Sequence, residues 1–100
     1  MKKLLVLGAS SNEITLVKRA QFHGIYVVVT DYNKDHKLSP AKDIADEYWD
    51  ISWNDIEALY KKCIINKIDG VTAGYSEIRV ENLIKLCKRL NLPCYITRQI

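Results

Sequence analysis

The sequence predicts a doubly wound α/β domain, a parallel sheet of about five strands in the order 3-2-1-4-5 with helices on both faces. Apolar runs of strand length alternate with segments of helical periodicity along all 100 residues. The chain has the length of one domain, 1–100. Right-handed crossovers between successive parallel strands then place helices on both faces of the sheet. This architecture is Rossmann-like.

The first half of the chain predicts two buried strands around one helix. Residues 3–8 form a continuous apolar run that ends in glycine, which is typical of a strand buried on both faces. Residues 12–23 predict a helix, and Gly24 is a residue that ends helices. Residues 25–30 are β-branched and apolar and predict the second strand, and the polar segment 32–40 predicts a loop.

The middle of the chain predicts a short helical turn at Ala41–Ala45, a short third strand at 48–51 and a clear amphipathic helix. Ser52 with Asp55, or Asn54 with Glu57, is expected to cap that helix reciprocally. Its apolar residues recur at helical spacing on one face: Ile56, Leu59, Tyr60, Cys63 and Ile64.

The last third of the chain predicts a fourth strand at 69–74, a helix at 77–90 and a fifth strand at 93–96. Asn91 is expected to end the helix in the left-handed conformation. One face of the helix is apolar: Val80, Leu83, Ile84, Cys87 and Leu90.

Composition excludes several classes of protein. Hydrophobic residues make up 48% and charged residues 27% of the chain, which suits a globular domain rather than a disordered one. Basic residues are scattered and the net charge is +3, so no nucleic-acid partner is expected. The apolar start is too short for a signal peptide or membrane span, so we expect a cytoplasmic protein without a membrane partner. Cys63, Cys87 and Cys94 match no metal or redox spacing and are expected as reduced thiols.

The predicted strand order places a topological switch point between strands one and four, where ligands bind beyond the carboxyl ends of strands. A dinucleotide site requires G-x-G-x-x-G, but Ser10 and Glu13 stand at the second and third glycine positions. Alternatively, Gly8 permits a tight turn and Ser10, Ser11 or Asn12 caps the helix, or the exposed amides bind a small polar substrate. Asp31 either bonds ribose hydroxyls or caps the following turn.

Other candidate residues have simple structural explanations. Ser76 and Glu77 either cap the last helix or line the switch-point crevice opposite Ser10. His23 and His36 have no partner in the sequence that suggests catalysis. Trp49 and Trp53 are expected to pack around the third strand, and no catalytic residue or metal cluster is identified. A phosphoacceptor receiver domain is rejected because it needs paired acids after strand one.

Five stretches in order carry a family resemblance: 3–10, 27–33, 45–49, 68–74 and 90–93. In these stretches the sequence resembles the N-terminal, pre-ATP-grasp domain of ATP-grasp ligases, such as carbamoyl-phosphate synthase large chains, biotin carboxylases and the ATP-grasp enzymes of purine synthesis. Two departures are Glu13, where the family commonly has glutamine, and Asn91, which replaces a glycine.

The resemblance implies the substrate-side domain of an ATP-dependent ligase that activates a carboxylate and transfers it to an amine. ATP and magnesium are then expected to bind the full-length parent protein, and no cofactor is expected to bind this domain alone. The chain is expected to be a fragment of that parent. The missing ATP-grasp module and a small-molecule substrate are the expected partners. Seven positions carry over as substrate-binding: Gly8, Ala9, Ser10, Asp31, Gly74, Ser76 and Glu77.

Two alternatives remain open from the sequence. The chain is either a free-standing Rossmann-like module that binds a nucleotide or small metabolite near Ser10 and Asp31, or an interaction domain. The interaction domain predicts a homodimer formed through an exposed apolar patch.

Overall fold

The computed structural model describes residues 2–73, 77–92 and 94–96. The described chain alternates strands and helices, with two short 3₁₀ turns inserted at 11–13 and 40–43. The strands are β1 Lys3–Leu7, β2 Tyr26–Thr30, β3 Glu47–Trp49, β4 Gly70–Ala73 and β5 Cys94–Ile96, and the helices are α1 Ile14–Phe22, α2 Ile56–Asn66 and α3 Glu77–Leu90.

The five strands form one parallel sheet in the order β3-β2-β1-β4-β5, as predicted. β1 lies at the centre, where Leu5 is in register with Val28 of β2 and with Val71 of β4. The change in direction of the winding lies between β1 and β4. Because all the strands are parallel, their carboxyl ends lie at the same edge of the sheet, and the switch-point rule expects a ligand at that edge between β1 and β4.

Successive side chains along each strand of the sheet belong to two separate hydrophobic cores, one on each face. Leu5 and Leu7 of β1 point to the face covered by α2 and α3, whereas Val6 points to the face covered by α1. β2 shows the same alternation, with Val28 on the first face and its neighbours on the second. Burial on both faces explains why these strands read as unbroken apolar runs.

The helices differ from the prediction mainly at their ends. A 3₁₀ turn at 11–13 precedes α1, which starts at Ile14 rather than residue 12. Gly24 (φ 77°) and Asn91 (φ 56°) adopt the expected left-handed conformation. Lys67 (φ 55°) also does so at the end of α2, which the sequence did not predict. The short helical turn expected at Ala41–Ala45 is present as a 3₁₀ turn at Pro40–Asp43.

The predicted reciprocal caps of α2 are wrong. Asp55 alone is the capping residue, because its Oδ1 accepts a hydrogen bond from the amide of Ala58 at 3.2 Å. Ser52 instead donates its hydroxyl to Oδ1 of Asn54. Glu57 forms an ion pair with Arg89 on α3.

The apolar stripes of α2 and α3 are each wrong at one position. Ile64 and Ile84 are exposed, whereas Leu86, which was not predicted, is completely buried. Ile64 and Ile84 lie at the edge of their predicted stripes, where the surface of each helix passes from the core to solvent. Cys63 and Cys87 are buried free thiols, as expected, and the side chain of Cys94 lies outside the described part of the structure. No described helix has the length and apolar character required to span a bilayer.

Candidate functional site

A groove of about 220 Å³ lies where the chain leaves β1 and β2. Residues of three loops form its walls: the segment after β1, the segment after β2 and the segment between β3 and α2. The lining residues are Gly8, Ala9, Ser10, Asp31, Tyr32, Asn33, Leu38 and Trp53.

Four of the seven predicted site residues line this groove together: Gly8, Ala9, Ser10 and Asp31. Of the other three, Gly74 and Ser76 lie outside the described residues. Glu77 is the first residue of α3, and the structure describes its backbone alone. The contribution of the 74–77 segment to the crevice therefore stays a prediction.

The loop after β1 is shaped by Gly8 and by the side chain of Ser10. Gly8 has φ 122°, a conformation that side-chain-bearing residues rarely adopt, and this allows the sharp turn out of the strand. Ser10 Oγ accepts the amide of Asn12 at 3.2 Å and donates to Oε2 of Glu13 at 2.7 Å. Ser10 is therefore the cap among the three residues considered, and it caps the 3₁₀ turn at 11–13.

Glu13 is buried directly beneath this loop, with 1% of its surface exposed. It occupies the position where a dinucleotide-binding loop has its third glycine, which such folds use to bring the helix close to the strand. The buried side chain fills that space. The loop therefore has the shape of a capped helix start rather than of a pyrophosphate cradle.

Asp31 follows β2 and is also buried. Its Oδ1 accepts the amide of Asn33 at 3.0 Å, which makes an Asx turn, and its Oδ2 accepts the hydroxyl of Ser39 at 2.5 Å. Of the two interpretations left open by the sequence, the structure shows the turn cap.

Lys42 connects the loops at this edge of the sheet, a role that was not predicted from the sequence. Its side chain is completely buried, and Nζ lies 2.9 Å from Oδ1 of Asp31 and 2.7 Å from Oδ1 of Asp50. Nζ also donates to the backbone carbonyl of Asn33. One ammonium group therefore ties the loop after β2 to the loop after β3. A lysine in a polar segment gives no sequence signal of burial, because lysines there are normally solvated.

The environment of Lys42 keeps it charged. Burial alone would lower the pKa of its ammonium group, but hydrogen bonds to the carboxylates of Asp50 and Asp31 outweigh that effect and raise the pKa above its ordinary value. The positive charge is therefore a permanent part of the site at neutral pH.

His36 has partners that its sequence position did not reveal. Its Nδ1 lies 2.6 Å from Oδ1 of Asp43, and its ring meets that of Tyr48 edge-on, with the centroids 4.8 Å apart. Trp49 is buried in the core as expected. Trp53 packs against the same core and lines the groove, so it contributes to both. Within the described residues, no cluster of three His, Cys, Asp or Glu side chains could hold a metal ion.

Comparison with known proteins gives a consistent result at the level of sequence. No family model matches the chain. N5-carboxyaminoimidazole ribonucleotide synthase of Staphylococcus haemolyticus (strain JCSC1435) is 31% identical over 88 residues, which are 88% of this chain and 22% of the relative.

Solved structures extend the likeness to the fold. N5-carboxyaminoimidazole ribonucleotide synthetase of Thermotoga maritima superposes with a TM-score of 0.73 at 26% identity, over 95% of this chain and 25% of that one. The chain matches the N-terminal domain of ATP-grasp enzymes. It spans about a quarter of the length of these relatives.

Biotin carboxylases resemble this chain in fold. The biotin carboxylase domain dimer of Hydrogenobacter thermophilus 2-oxoglutarate carboxylase, in complex with MgADP, ADP and bicarbonate, has a TM-score of 0.75 at 18% identity. The superposition covers 93% of this chain and 22% of that one. The fold of this chain is therefore found both in ribonucleotide synthetases and in biotin carboxylases.

Proposed function

We propose that this chain is the substrate-side, N-terminal domain of an ATP-dependent carboxylate–amine ligase and is not catalytic on its own. The observation that carries the proposal is the 31% identity to a ribonucleotide synthase over nearly the whole of this chain but 22% of that enzyme. In this proposal the groove at the ends of β1 and β2 is one wall of the crevice for a small-molecule substrate, and the protein works in the cytoplasm.

The chemistry of the groove supports a binding role rather than a catalytic one. The Ser10 hydroxyl caps the turn after β1, because its hydrogen goes to Glu13 while its oxygen accepts the amide of Asn12. Asp31 is held by Lys42, Ser39 and the amide of Asn33, so its carboxylate is fixed in place. Fixed polar groups of this kind orient a substrate for chemistry carried out by groups elsewhere.

ATP and magnesium belong to the partner module in this proposal. ATP-dependent activation of a carboxylate gives an acyl phosphate, and the amine then displaces the phosphate. The relative from Hydrogenobacter thermophilus was solved with MgADP and bicarbonate, which supports nucleotide and metal in the parent of this chain. The described residues of this chain would contribute the wall that holds the substrate facing that module.

Two experiments test the proposal. The reading frame downstream of Ile100 in the native gene is expected to encode an ATP-grasp module, and a stop codon there would contradict the ligase assignment. Calorimetric titration of the 100-residue chain with MgATP is expected to give no binding tighter than about 1 mM. Tight, magnesium-dependent binding by this chain alone would instead favour a free-standing nucleotide module.

A further inference from the structure

The segment between β2 and the 3₁₀ turn at 40–43 forms one wall of the groove and carries a histidine, the side chain that changes charge near neutral pH. We infer that the contact between His36 and Asp43 is a pH-sensitive switch: proton uptake by the imidazole fixes this wall segment, residues 32–39, and proton release loosens it. Three residues of the wall segment line the groove: Tyr32, Asn33 and Leu38. The switch is a property of this chain, and its effect on a substrate rests on the proposed function.

The two ends of the wall segment are held by contacts that do not depend on a histidine. At the first end, Asp31 accepts the amide of Asn33 at 3.0 Å, and the ammonium of Lys42 donates to the carbonyl of Asn33. At the second end, the hydroxyl of Ser39 donates to Oδ2 of Asp31 at 2.5 Å. Because lysines and aspartates ordinarily titrate outside the range from about pH 5 to about pH 8, these contacts persist throughout that range.

The middle of the wall segment is held by His36. Its Nδ1 lies 2.6 Å from Oδ1 of Asp43, and its ring meets that of Tyr48 edge-on with the centroids 4.8 Å apart. His36 lies in a turn in which the amide of Leu38 donates to the carbonyl of Asp35 at 3.0 Å. The contact of the imidazole therefore constrains the turn that positions Leu38 in the groove wall.

The strength of the contact depends on the proton. A neutral imidazole has one hydrogen, and in the tautomer with this hydrogen on Nε2 the Nδ1 atom directs a lone pair at the carboxylate. A protonated imidazole has a hydrogen on each nitrogen and a positive charge, so it donates to Asp43 in a charge-assisted hydrogen bond. The side chains of His36 and Asp43 are 31% and 63% exposed, and ion pairs this exposed shift an equilibrium by about two- to fivefold. The wall segment is therefore more ordered as pH falls from about 8 to about 5.

The other charged and titratable groups around His36 do not cancel the attraction of Asp43. Among the described residues they come from its own segment, from the 3₁₀ turn and from β3: Lys34, Asp35, Lys37, Lys42 and Tyr48. The buried Lys42 opposes protonation of His36, since its Nζ lies 5.7 Å from the centre of the Tyr48 ring that His36 contacts. Its charge is balanced by two carboxylates, those of Asp31 at 2.9 Å and Asp50 at 2.7 Å. The three groups of the segment itself are exposed, so solvent and salt screen their charges.

A double-mutant cycle on the 100-residue chain tests the switch. His36→Gln, Asp43→Asn and the double variant are unfolded in urea beside the unmodified chain, at about pH 5.5 and at about pH 8. The cycle isolates the factor by which the pair raises the folding equilibrium constant. This factor is expected to be about two to five at the lower pH and less than about 1.5 at the higher pH. A factor of the same size at both pH values would overturn the inference.

The order of the groove wall is measured through the methyl groups of Leu38, whose hydrogens do not exchange with water. Their NMR order parameter is expected to be higher at about pH 5.5 than at about pH 8 in the unmodified chain and to be independent of pH in His36→Gln and Asp43→Asn. His23→Gln removes the other histidine of the chain and is the matched control, which is expected to keep the response. The same order parameter at both pH values in the unmodified chain, or a response lost in His23→Gln, would contradict the switch. Because no ligand is added, failure of the switch leaves the ligase proposal intact, and a stop codon after Ile100 would overturn that proposal and leave the switch.

Discussion

Lys42 and Asp31 form a buried ion pair at the edge of the sheet, with Nζ 2.9 Å from Oδ1, no exposed surface on the lysine side chain and 8% on that of the aspartate. The pair joins two segments that the sequence separates by a polar loop. Because the lysine also reaches Asp50 at 2.7 Å, the loops after β2 and β3 are held by one charge. The position of the groove wall therefore depends on a residue that does not line the groove.

Replacing Lys42 by methionine keeps most of the unbranched side chain and removes its charge. We expect the free energy of unfolding to fall by about 3–5 kcal/mol, because the carboxylate of Asp31 is left buried without its counter-ion. Urea denaturation followed by Trp fluorescence measures the change. Lys61→Met, on the exposed face of α2, is the matched control and is expected to change stability by less than about 0.5 kcal/mol. Equal losses in the two variants would show that the buried pair contributes nothing specific.

The sequence predicts the sheet well because each buried strand carries its own signal. The apolar runs at 3–8 and 25–30 determine β1 and β2, and the alternation of residues such as Leu5 and Val6 between two cores follows from burial on both faces. Strand order then follows from right-handed crossovers. The five strands occur in the predicted order for these reasons.

The candidate site is less predictable because its key contacts join distant residues. Gly8 and the choice of Ser10, Ser11 or Asn12 as the cap are recognisable from local sequence, because a glycine and polar capping residues directly follow the apolar run. The burial of Lys42 and its contacts with Asp31, Asn33 and Asp50 depend on how two loops fold over each other, and no periodicity encodes that. The same limit applies to His36, whose partner Asp43 lies seven residues away in a 3₁₀ turn.

The cap of α2 gives a direct test of one corrected prediction. Asp55→Ala removes the side chain that accepts the amide of Ala58, so the free energy of unfolding is expected to fall by about 1 kcal/mol. Ser52→Ala and Asn54→Ala, the two caps that the sequence suggested, are expected to cost less than about 0.5 kcal/mol. Chemical denaturation of the three variants measures this order. A larger loss from Ser52→Ala than from Asp55→Ala would restore the reciprocal cap.

Lys67 follows α2 in a left-handed backbone conformation. This conformation is energetically unfavourable for any residue that has a Cβ atom. Lys67→Gly is therefore expected to raise the free energy of unfolding by about 0.5–1 kcal/mol. Lys61→Gly, in the interior of the same helix, is expected to lower it by about 1 kcal/mol, because glycine disfavours helical backbone. Thermal denaturation distinguishes the two. A loss of stability in Lys67→Gly would mean that the lysine side chain stabilises the helix end more than its backbone strains it.

The buried thiol of Cys63 is expected to make the free energy of unfolding depend on pH in the alkaline range. Burial raises the pKa of its thiol from 9.0 to about 12. In the unfolded chain the thiol loses its proton near its ordinary pKa, whereas in the folded chain it keeps it, so unfolding becomes easier as pH rises. The stability associated with this group is fully present below about pH 9 and is lost progressively toward pH 12, with a slope approaching about 1.4 kcal/mol per pH unit.

Urea denaturation between pH 8 and about pH 11, on the unmodified chain and on Cys63→Ala, isolates this contribution. The alanine variant loses core packing at every pH, but its free energy of unfolding is expected to decline less steeply above pH 9 than that of the unmodified chain. Lys42, whose raised pKa also makes stability fall at high pH, is present in both proteins, so its effect cancels in the difference. Parallel curves for the two proteins would contradict a buried, protonated Cys63, because removal of the thiol would then leave the pH dependence unchanged.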